Sequence, residues 1–174
     1  MTNTPFLVQM AGAPGSGKSA LARLIGRCAG AVVIDKDVLK TAALEAGAEE
    51  SLASGIAYEA FFALADHLLG QERSVVLDSP SFWDTIPSKG ADIAEGRGVP
   101  YYFIECLCPD EEELARRLRD RTRMASQPAE PIDPKWETIA PTGAYLRVDT
   151  SQPIERCLAL ALDYLGVSEA PGDS

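Results

Sequence analysis

A glycine-rich stretch near the start of the chain has the clearest chemical meaning. It reads Gly12-Ala13-Pro14-Gly15-Ser16-Gly17-Lys18-Ser19 and matches the pattern GxxxxGK[ST] in full. Glycines in such a loop let backbone N–H groups converge on phosphate oxygens, and the following helix N-terminus adds positive potential. The lysine of the pattern reaches the β- and γ-phosphates, and the serine ligates Mg²⁺. The stretch therefore predicts a nucleoside triphosphate site, since an apolar run before it and a helical pattern after it disfavour a chance glycine-rich turn.

Acidic residues follow the second and third apolar runs. Asp35 and Asp37 come after the second run, with Lys40 one helical turn beyond Asp37. Ligands of an open parallel sheet lie outside the carboxyl ends of the strands, which predicts both carboxylates near the γ-phosphate. Asp37 is the expected base for an attacking hydroxyl, Asp35 the weaker candidate, and Lys40 a cation for an anionic group of the substrate. The alternative is helix capping, for which aspartate is also suited.

Asp78 ends the third apolar run and has three interpretations. It can orient Mg²⁺ through water, bind substrate, or cap the following loop. Trp83 lies a few residues later and can stack on a substrate ring or pack beneath the loop.

Arginines are concentrated before a proline-rich segment. Five of them lie within eight residues, at 116, 117, 119, 121 and 123. Arg117 and Arg121 are four residues apart and are expected to share a helix face that reaches the triphosphate, with Arg121 neutralising the transferred phosphoryl group. The alternative is a solvated face with ion pairs, for which Glu113 and Arg117 have the right spacing.

Strand and helix patterns alternate along almost the whole chain. Strands are predicted at 6–11, 31–34, 74–77, 100–107 and 144–148, and helices at 18–28, 37–46, 51–69, within 88–96, 110–123 and 153–165. This alternation predicts an α/β domain, residues 1–168, with a parallel sheet between two helical layers. The segment 124–141 contains four prolines and no apolar period, and we expect a lid over about 117–142. Residues 169–174 are expected to form a flexible tail.

The longest predicted helix supplies core and candidate pocket residues. The residues expected to face the core are Ile56, Phe61, Leu64, Leu68 and Leu69. Tyr58 and Phe62 can line an acceptor pocket, although core packing is the better interpretation. His67 has no second histidine or cysteine nearby and is expected to be structural.

Composition limits the possible partners. The chain has 174 residues and a formal charge of −10, which disfavours long nucleic acid and anionic lipid but allows a small anion in a local basic cleft. The four cysteines have no metal-binding spacing, and Cys106 and Cys108 are expected to share one face of a strand. No signal peptide or membrane span is recognised, so a cytoplasmic protein is expected.

With these motifs in place, the chain resembles the P-loop kinase-like proteins often labelled AAA-family ATPases. That group is similar to polynucleotide 5′-kinases, chloramphenicol phosphotransferases and zeta-toxin kinases. The shared features are the P-loop, the Asp37-Val38-Leu39-Lys40 step, the strand-end Asp78, and the Arg117-Leu118-Arg119-Asp120-Arg121 lid helix. Many relatives carry arginine where this chain has Lys40. Too few residues remain in this sequence for the extra subdomain of a ring-forming AAA+ motor, so we do not expect motor activity.

The resemblance implies a five-stranded sheet in the order 2-3-1-4-5, as in nucleoside monophosphate kinases, and in-line transfer of the γ-phosphoryl group with Asp37 as base. It implies ATP and Mg²⁺ as cofactors. The residues expected at the nucleotide are Gly12, Ala13, Pro14, Gly15, Ser16, Gly17, Lys18, Ser19, Ala20, Arg117 and Arg121. Those expected at the substrate are Asp35, Asp37, Lys40, Asp78 and Trp83, and those at the metal are Ser19 and Asp78.

Three functions fit this pattern. The first is a kinase for a small-molecule hydroxyl, with a nucleoside, sugar, nucleotide sugar or antibiotic as acceptor, Lys18, Asp37 and Arg121 being catalytic. The second is a nucleic-acid 5′-end kinase, which the acidic charge disfavours. The third is an ATP-binding regulator without transfer activity. Neither the preference for ATP over GTP nor the choice between monomer and homodimer follows from the sequence.

Overall fold

The computed structural model describes residues 4–127 and 137–167 of the chain. The strands are β1 (Leu7–Ala11), β2 (Val32–Asp35), β3 (Val75–Asp78), β4 (Tyr101–Leu107) and β5 (Leu146–Asp149). The helices are α1 (Lys18–Ala29), α2 (Lys36–Glu45), α3 (Glu50–Leu69), α4 (Thr85–Arg97), α5 (Glu111–Asp120) and α6 (Ile154–Leu165). The strands form one parallel sheet in the order β2-β3-β1-β4-β5, which confirms the predicted fold class and strand order.

Apolar side chains alternate along the strands and build a core on each face of the sheet. On one face, Val8, Met10 and Ile104 pack with residues of α1 and α6. On the other, Leu7 and Leu77 pack with residues of α3 and α4. Because every central strand is covered on both sides, its residues read as continuous apolar runs.

The buried face of α3 differs from the predicted one. Its buried residues are Ala53, Ala57, Phe61, Phe62, Ala65 and Leu69. Ile56 is 46% exposed and Leu64 is 40% exposed, so the expectation that both face the core is wrong. Small alanines let the helix approach the sheet closely, and the phenylalanines fill the remaining space. The positions of leucine and isoleucine therefore do not predict which face of α3 is buried.

α3 is also long and apolar enough to cross a membrane, judged by length and composition alone. Its Phe61 and Leu69 instead belong to the core beside the sheet. The same apolar content is typical of a core helix in a water-soluble fold.

Two further boundaries differ from the sequence-based expectation. α5 ends at Asp120 rather than Arg123, and Arg121 has extended backbone angles. β4 ends at Leu107, so Cys108 follows the strand and does not share its face with Cys106. All four cysteines are free. Burial raises the pKa of the Cys106 thiol to about 12, as fits a small apolar core residue.

Parts of the predicted lid lie outside the described residues, as does the tail at 169–174. Residues 122–127 continue from α5 towards α2, and the chain is described again from Glu137. There Ile139 N–H donates to Ser81 O at 2.7 Å, and Ser81 Oγ donates to Ile139 O at 2.7 Å. These paired bonds tie the returning chain to the loop after β3.

Candidate nucleotide and acceptor site

The glycine-rich loop between β1 and α1 has a backbone that side chains rarely tolerate. Gly12 has a φ of 135°, and a Cβ at this position would lie 2.4 Å from the carbonyl oxygen of Cys106. Gly17 caps α1 with a φ of 85°, and no side chain among the described residues caps this helix. The first N–H groups of α1 therefore point out of the loop without a side-chain acceptor, which is the arrangement that binds phosphate.

Lys18 is the first residue of α1 and is 9% exposed. Ser16 belongs to the same loop, and its buried Oγ lies against Gly12 rather than in the cavity that Lys18 lines. The loop thus fits a triphosphate by its backbone and its charge.

Asp35 and Asp78 are the last residues of β2 and β3 and lie side by side in the sheet. Burial and the negative charge of Asp78 raise the pKa of Asp35. The Asp35 side chain accepts a hydrogen bond from Asp37 N–H at 2.8 Å and caps α2. The capping interpretation therefore applies to Asp35.

Asp78 is 3% exposed, and its Oδ1 has no hydrogen-bond partner among the described residues. A buried carboxylate oxygen without a donor is costly, and a cation, or a water bound to one, would satisfy it. Within 4–127 and 137–167, no three His, Cys, Asp or Glu side chains gather into a metal site. Mg²⁺ in phosphate sites uses one or two protein groups and takes its other ligands from phosphates and water. Ser19 and Asp78 therefore fit Mg²⁺.

Asp37 is held from two sides. Lys36 Nζ lies 2.5 Å from Asp37 Oδ1, and Gln127 Nε2 donates to Asp37 Oδ2 at 3.3 Å. Ser126 Oγ also donates to the Asp37 carbonyl oxygen at 3.0 Å. The residues after α5 thus dock on the start of α2 and help fix the orientation of this carboxylate.

Lys40 follows Asp37 by one turn of α2, as predicted. Its ammonium group forms an ion pair with Glu50 at the start of α3, and the Lys40 side chain is 12% exposed. The lysine therefore has a carboxylate partner within the chain.

One cavity of about 620 Å³ joins the loop to these acidic residues. The predicted site residues that line it are Pro14, Gly15, Gly17, Lys18, Ser19, Ala20, Asp35, Asp37, Lys40, Trp83, Arg117 and Arg121. The remaining predicted residues, Gly12, Ala13, Ser16 and Asp78, do not line it. His67 does not line the cavity either, and its ring contacts Gln71 just after the end of α3. The cavity thus brings most of the predicted nucleotide and substrate residues to one edge of the sheet.

The two arginines predicted to share a helix face do not do so, because α5 ends between them. Arg117 pairs with Glu113 at 2.7 Å and donates to Thr150 Oγ1 at 3.1 Å and to Thr150 O at 2.8 Å. Burial lowers the pKa of Arg121, and the charge of Asp37 acts in the opposite direction. Arg121 therefore lies close enough to Asp37 to interact with its charge.

Aromatic side chains form a wall of the cavity. Trp83 is 48% exposed and meets Tyr58 edge to face, with ring centroids 6.2 Å apart. The ring centroids of Phe82 and Trp83 are 6.3 Å apart. Tyr58 lines the cavity, whereas Phe62 is buried in the core behind it. Tyr58 thus fits the pocket-lining interpretation, and Phe62 fits the core-packing interpretation.

Three residues at the site were not identified from the sequence. Lys36 is 8% exposed and lines the cavity, although it stands between two acidic residues in a polar stretch. Thr150 follows β5, and Gln127 lies in the proline-rich segment. Thr150 could have been identified, because it follows the carboxyl end of a predicted strand, where ligands of a parallel sheet bind. Nothing in the local pattern distinguishes Lys36 or Gln127 from ordinary surface residues.

Comparison with known proteins agrees with this geometry. The AAA domain family (AAA_33) matches residues 7–140. None of the curated proteins compared with the chain matches it.

Solved structures of kinases share the fold over nearly the whole chain. An APS kinase from Mycobacterium tuberculosis, in complex with AMPPNP and APS, is 19% identical with a TM-score of 0.69, covering 94% of this chain and 98% of its own. A sugar kinase from Janibacter sp. HTCC2649 is 18% identical with a TM-score of 0.66, covering 94% and 96%. A gluconokinase from Sinorhizobium meliloti 1021 is 22% identical with a TM-score of 0.64, covering 94% and 93%. The chain therefore belongs to the AAA domain family and has the fold of P-loop kinases.

Proposed function

We propose that this protein is a kinase that transfers the γ-phosphoryl group of ATP to a hydroxyl group of a small molecule. The observation that carries the proposal is the position of Asp37, which lines the same cavity as Lys18 and Ser19 of the glycine-rich loop. A base and a phosphate site in one cavity allow a bound hydroxyl to attack a bound phosphoryl group. The acceptor classes that fit are nucleosides, sugars, nucleotide sugars and antibiotics.

The loop and the start of α1 would hold the triphosphate. The N–H groups between Gly12 and Ser19 donate to the phosphates, and Lys18 supplies a positive charge from a nearly buried position. Bound Mg²⁺ would neutralise charge on the β- and γ-phosphates, with Ser19 and Asp78 as its protein partners. Support for ATP comes from the AMPPNP complex of the structurally similar APS kinase.

Asp37 would take the proton of the acceptor hydroxyl. As the acceptor oxygen forms its bond to the γ-phosphorus, the bond between that phosphorus and the oxygen retained by ADP breaks. The hydroxyl proton passes to the Asp37 carboxylate, which Lys36 and Gln127 hold in place. Asp35 is less suited to this step because its carboxylate already caps α2.

The residues after α5 would act as the lid. Arg121 lines the cavity near Asp37 and would neutralise charge on the transferred phosphoryl group. Arg117 would contact the nucleotide from the other side, next to Thr150 and the glycine-rich loop. Docking of Ser126 and Gln127 on α2 would exclude water, which otherwise hydrolyses ATP.

The direct test is a search for phosphorylated products. The purified protein is incubated with ATP, Mg²⁺ and a metabolite collection, and mass spectrometry detects compounds that gain one phosphate. The Lys18→Ala variant is the matched control and is expected to give no product, because it lacks the cation that holds the phosphates. Product formed equally by wild type and Lys18→Ala would contradict the proposal.

A further inference from the structure

The cavity has an end that the nucleotide would not fill, and its residues differ in character from the phosphate end. We call it the acceptor end and define it by contacts that start at Asp37. Lys36 and Gln127 contact the Asp37 carboxylate, and Lys36 Nζ lies 5.7 Å from the centre of the Tyr58 ring. Tyr58 contacts Trp83, which contacts Phe82. The other lining residues on the same elements are Lys40, Ser54, Pro80, Met124 and Ser126.

The acceptor end offers aromatic surface to a ligand. Trp83 is nearly half exposed, although its ring makes edge-to-face contacts with both Tyr58 and Phe82. Pro80 and Met124 add apolar surface to the same cavity. A half-exposed indole beside a partly buried tyrosine is a platform on which a planar ring can stack, because aromatic pairs gain free energy beyond simple burial.

The two lysines of the acceptor end already have carboxylate partners. Lys36 pairs with Asp37 at 2.5 Å, and Lys40 pairs with Glu50. Both lysine side chains are largely buried, at 10% and 12% exposed. An anionic ligand would have to displace a carboxylate from each ammonium group, and a nearby Asp37 would repel it. The charges of these two lysines are therefore balanced before any acceptor enters.

Taking the proposed kinase function as given, we propose that the acceptor is an uncharged molecule carrying an aromatic ring beside the hydroxyl that is phosphorylated. The ring would stack on Trp83, and the hydroxyl would face Asp37. Phosphorylated and sulfated acceptors, nucleotide sugars among them, are disfavoured because both lysines already have carboxylate partners, and sugars without a ring substituent would make less contact with the aromatic residues.

Three pools of hydroxyl compounds test this proposal. They are uncharged compounds with an aromatic ring, uncharged sugars and polyols without one, and phosphorylated sugars with a free hydroxyl. Each pool is assayed with ATP and Mg²⁺ for mass gain of one phosphate. Binding is measured separately from Trp83 fluorescence in a Trp136→Phe background, with a non-hydrolysable ATP analogue occupying the nucleotide site.

The expected result is quenching of Trp83 by the aromatic pool and kcat/KM at least about tenfold higher for that pool. Preference for the phosphorylated pool, or absence of quenching by the aromatic pool, would overturn the inference. Quenching by the aromatic pool without any product would contradict the kinase function while leaving the ligand class intact. The two proposals therefore fail separately.

Variants sharpen the assignment to particular side chains. Trp83→Ala is expected to raise KM for the aromatic acceptor about tenfold and to leave KM for ATP within about twofold, whereas Trp83→Phe restores most of the affinity. A parallel rise in KM for ATP would show a structural role instead.

Glu50→Gln tests the charge argument. Removing the Glu50 charge releases Lys40, so turnover of phosphorylated sugars is expected to rise about fivefold while aromatic acceptors are unaffected. Glu49→Gln is the matched control, because Glu49 is an exposed neighbour that carries the same charge. An equal effect of both substitutions would contradict the specific role of the Lys40–Glu50 pair.

Discussion

At the scale of single residues, two neighbouring carboxylates have separate environments. Both line the cavity, but Asp35 is partly buried beside Asp78 and one of its oxygens accepts a hydrogen bond from the backbone of α2, whereas Asp37 is held by Lys36 and Gln127. The spacing Asp-x-Asp predicted a base near the γ-phosphate but left both residues as candidates. Only the hydrogen bonds of the folded chain show that Asp35 caps α2 and that Asp37 does not.

Asp35 should make stability depend on pH. The pKa of Asp35 is raised in the folded protein by burial and by Asp78. The folded state therefore binds this proton more tightly than the unfolded state, and stability is lost as pH rises through the folded pKa. Asp35→Asn keeps the α2 cap, because asparagine caps helices as well as aspartate does.

The expected result for Asp35→Asn is a gain in the free energy of unfolding, relative to wild type, that grows as the pH rises above the usual aspartate pKa of about 4. Urea unfolding at several pH values measures it. A difference that stays constant or shrinks with rising pH would show that Asp35 does not have a raised pKa. Asp35→Ala, which also loses the cap, should be less stable than Asp35→Asn by about 1 kcal/mol.

At the scale of elements, Thr150 joins three parts of the nucleotide site. Its Oγ1 lies 2.6 Å from Ser16 O in the glycine-rich loop and 2.9 Å from Leu107 O at the end of β4. The same oxygen accepts a hydrogen bond from Arg117 of α5. One buried hydroxyl thus fixes the loop, the sheet and the lid helix relative to one another.

Thr150→Val tests this connection because valine fills nearly the same volume without the hydroxyl. We expect a loss of roughly 1–3 kcal/mol in the free energy of unfolding, since the Ser16 carbonyl oxygen loses its hydroxyl donor and Arg117 loses an acceptor, while Leu107 O keeps the Thr150 N–H. Thr150→Ser should retain most of the stability. Urea unfolding curves of the three proteins decide the point, and equal stability of Thr150→Val and wild type would contradict it.

Contact between the lid segment and α2 should control water access. Ser126→Ala removes the hydrogen bonds of Ser126 Oγ with Asp37 O and Thr41 Oγ1. We expect a higher ratio of ATP hydrolysis to acceptor phosphorylation, because a loosened lid admits water. Ser88→Ala is the matched control: Ser88 is an exposed residue of α4 that donates a hydrogen bond to a backbone carbonyl, and its loss should leave the ratio unchanged. An unchanged ratio in Ser126→Ala would show that this segment does not act as a lid.

The elements also show where sequence reasoning succeeds and where it does not. The glycine-rich loop and the parallel sheet were predictable from a specific motif and from regular alternation, and the strand order followed from the family resemblance. The inner face of α3 was not, because its alanines approach the sheet while Ile56 and Leu64 remain exposed. The end of α5 was missed for a similar reason: Arg121 suits a helix locally, but its extended backbone carries the chain towards α2.

At the scale of the whole molecule, charge is distributed unevenly. The chain carries a formal charge of −10, yet its cavity contains Lys18, Arg117 and Arg121. This is an acidic exterior around a small basic site, which suits a small phosphorylated ligand better than a nucleic-acid backbone.

The charge distribution predicts how the protein treats nucleic acid. Binding of single-stranded oligonucleotides, measured by fluorescence anisotropy, is expected to be undetectable at low and at physiological salt alike. Affinity at low salt that falls steeply as salt is added would instead show phosphate contacts with a strand. That outcome would favour the nucleic-acid 5′-end kinase over the small-molecule kinase.

The central claim is that Asp37 is the base for phosphoryl transfer to an acceptor hydroxyl. The measurement that tests it most directly is acceptor phosphorylation by Asp37→Asn at saturating ATP, with ATP affinity determined on the same protein. Our account predicts a loss of about a hundredfold or more in transfer, since general-base catalysis contributes that much, with ATP affinity nearly unchanged. Transfer at the wild-type rate by Asp37→Asn would contradict it.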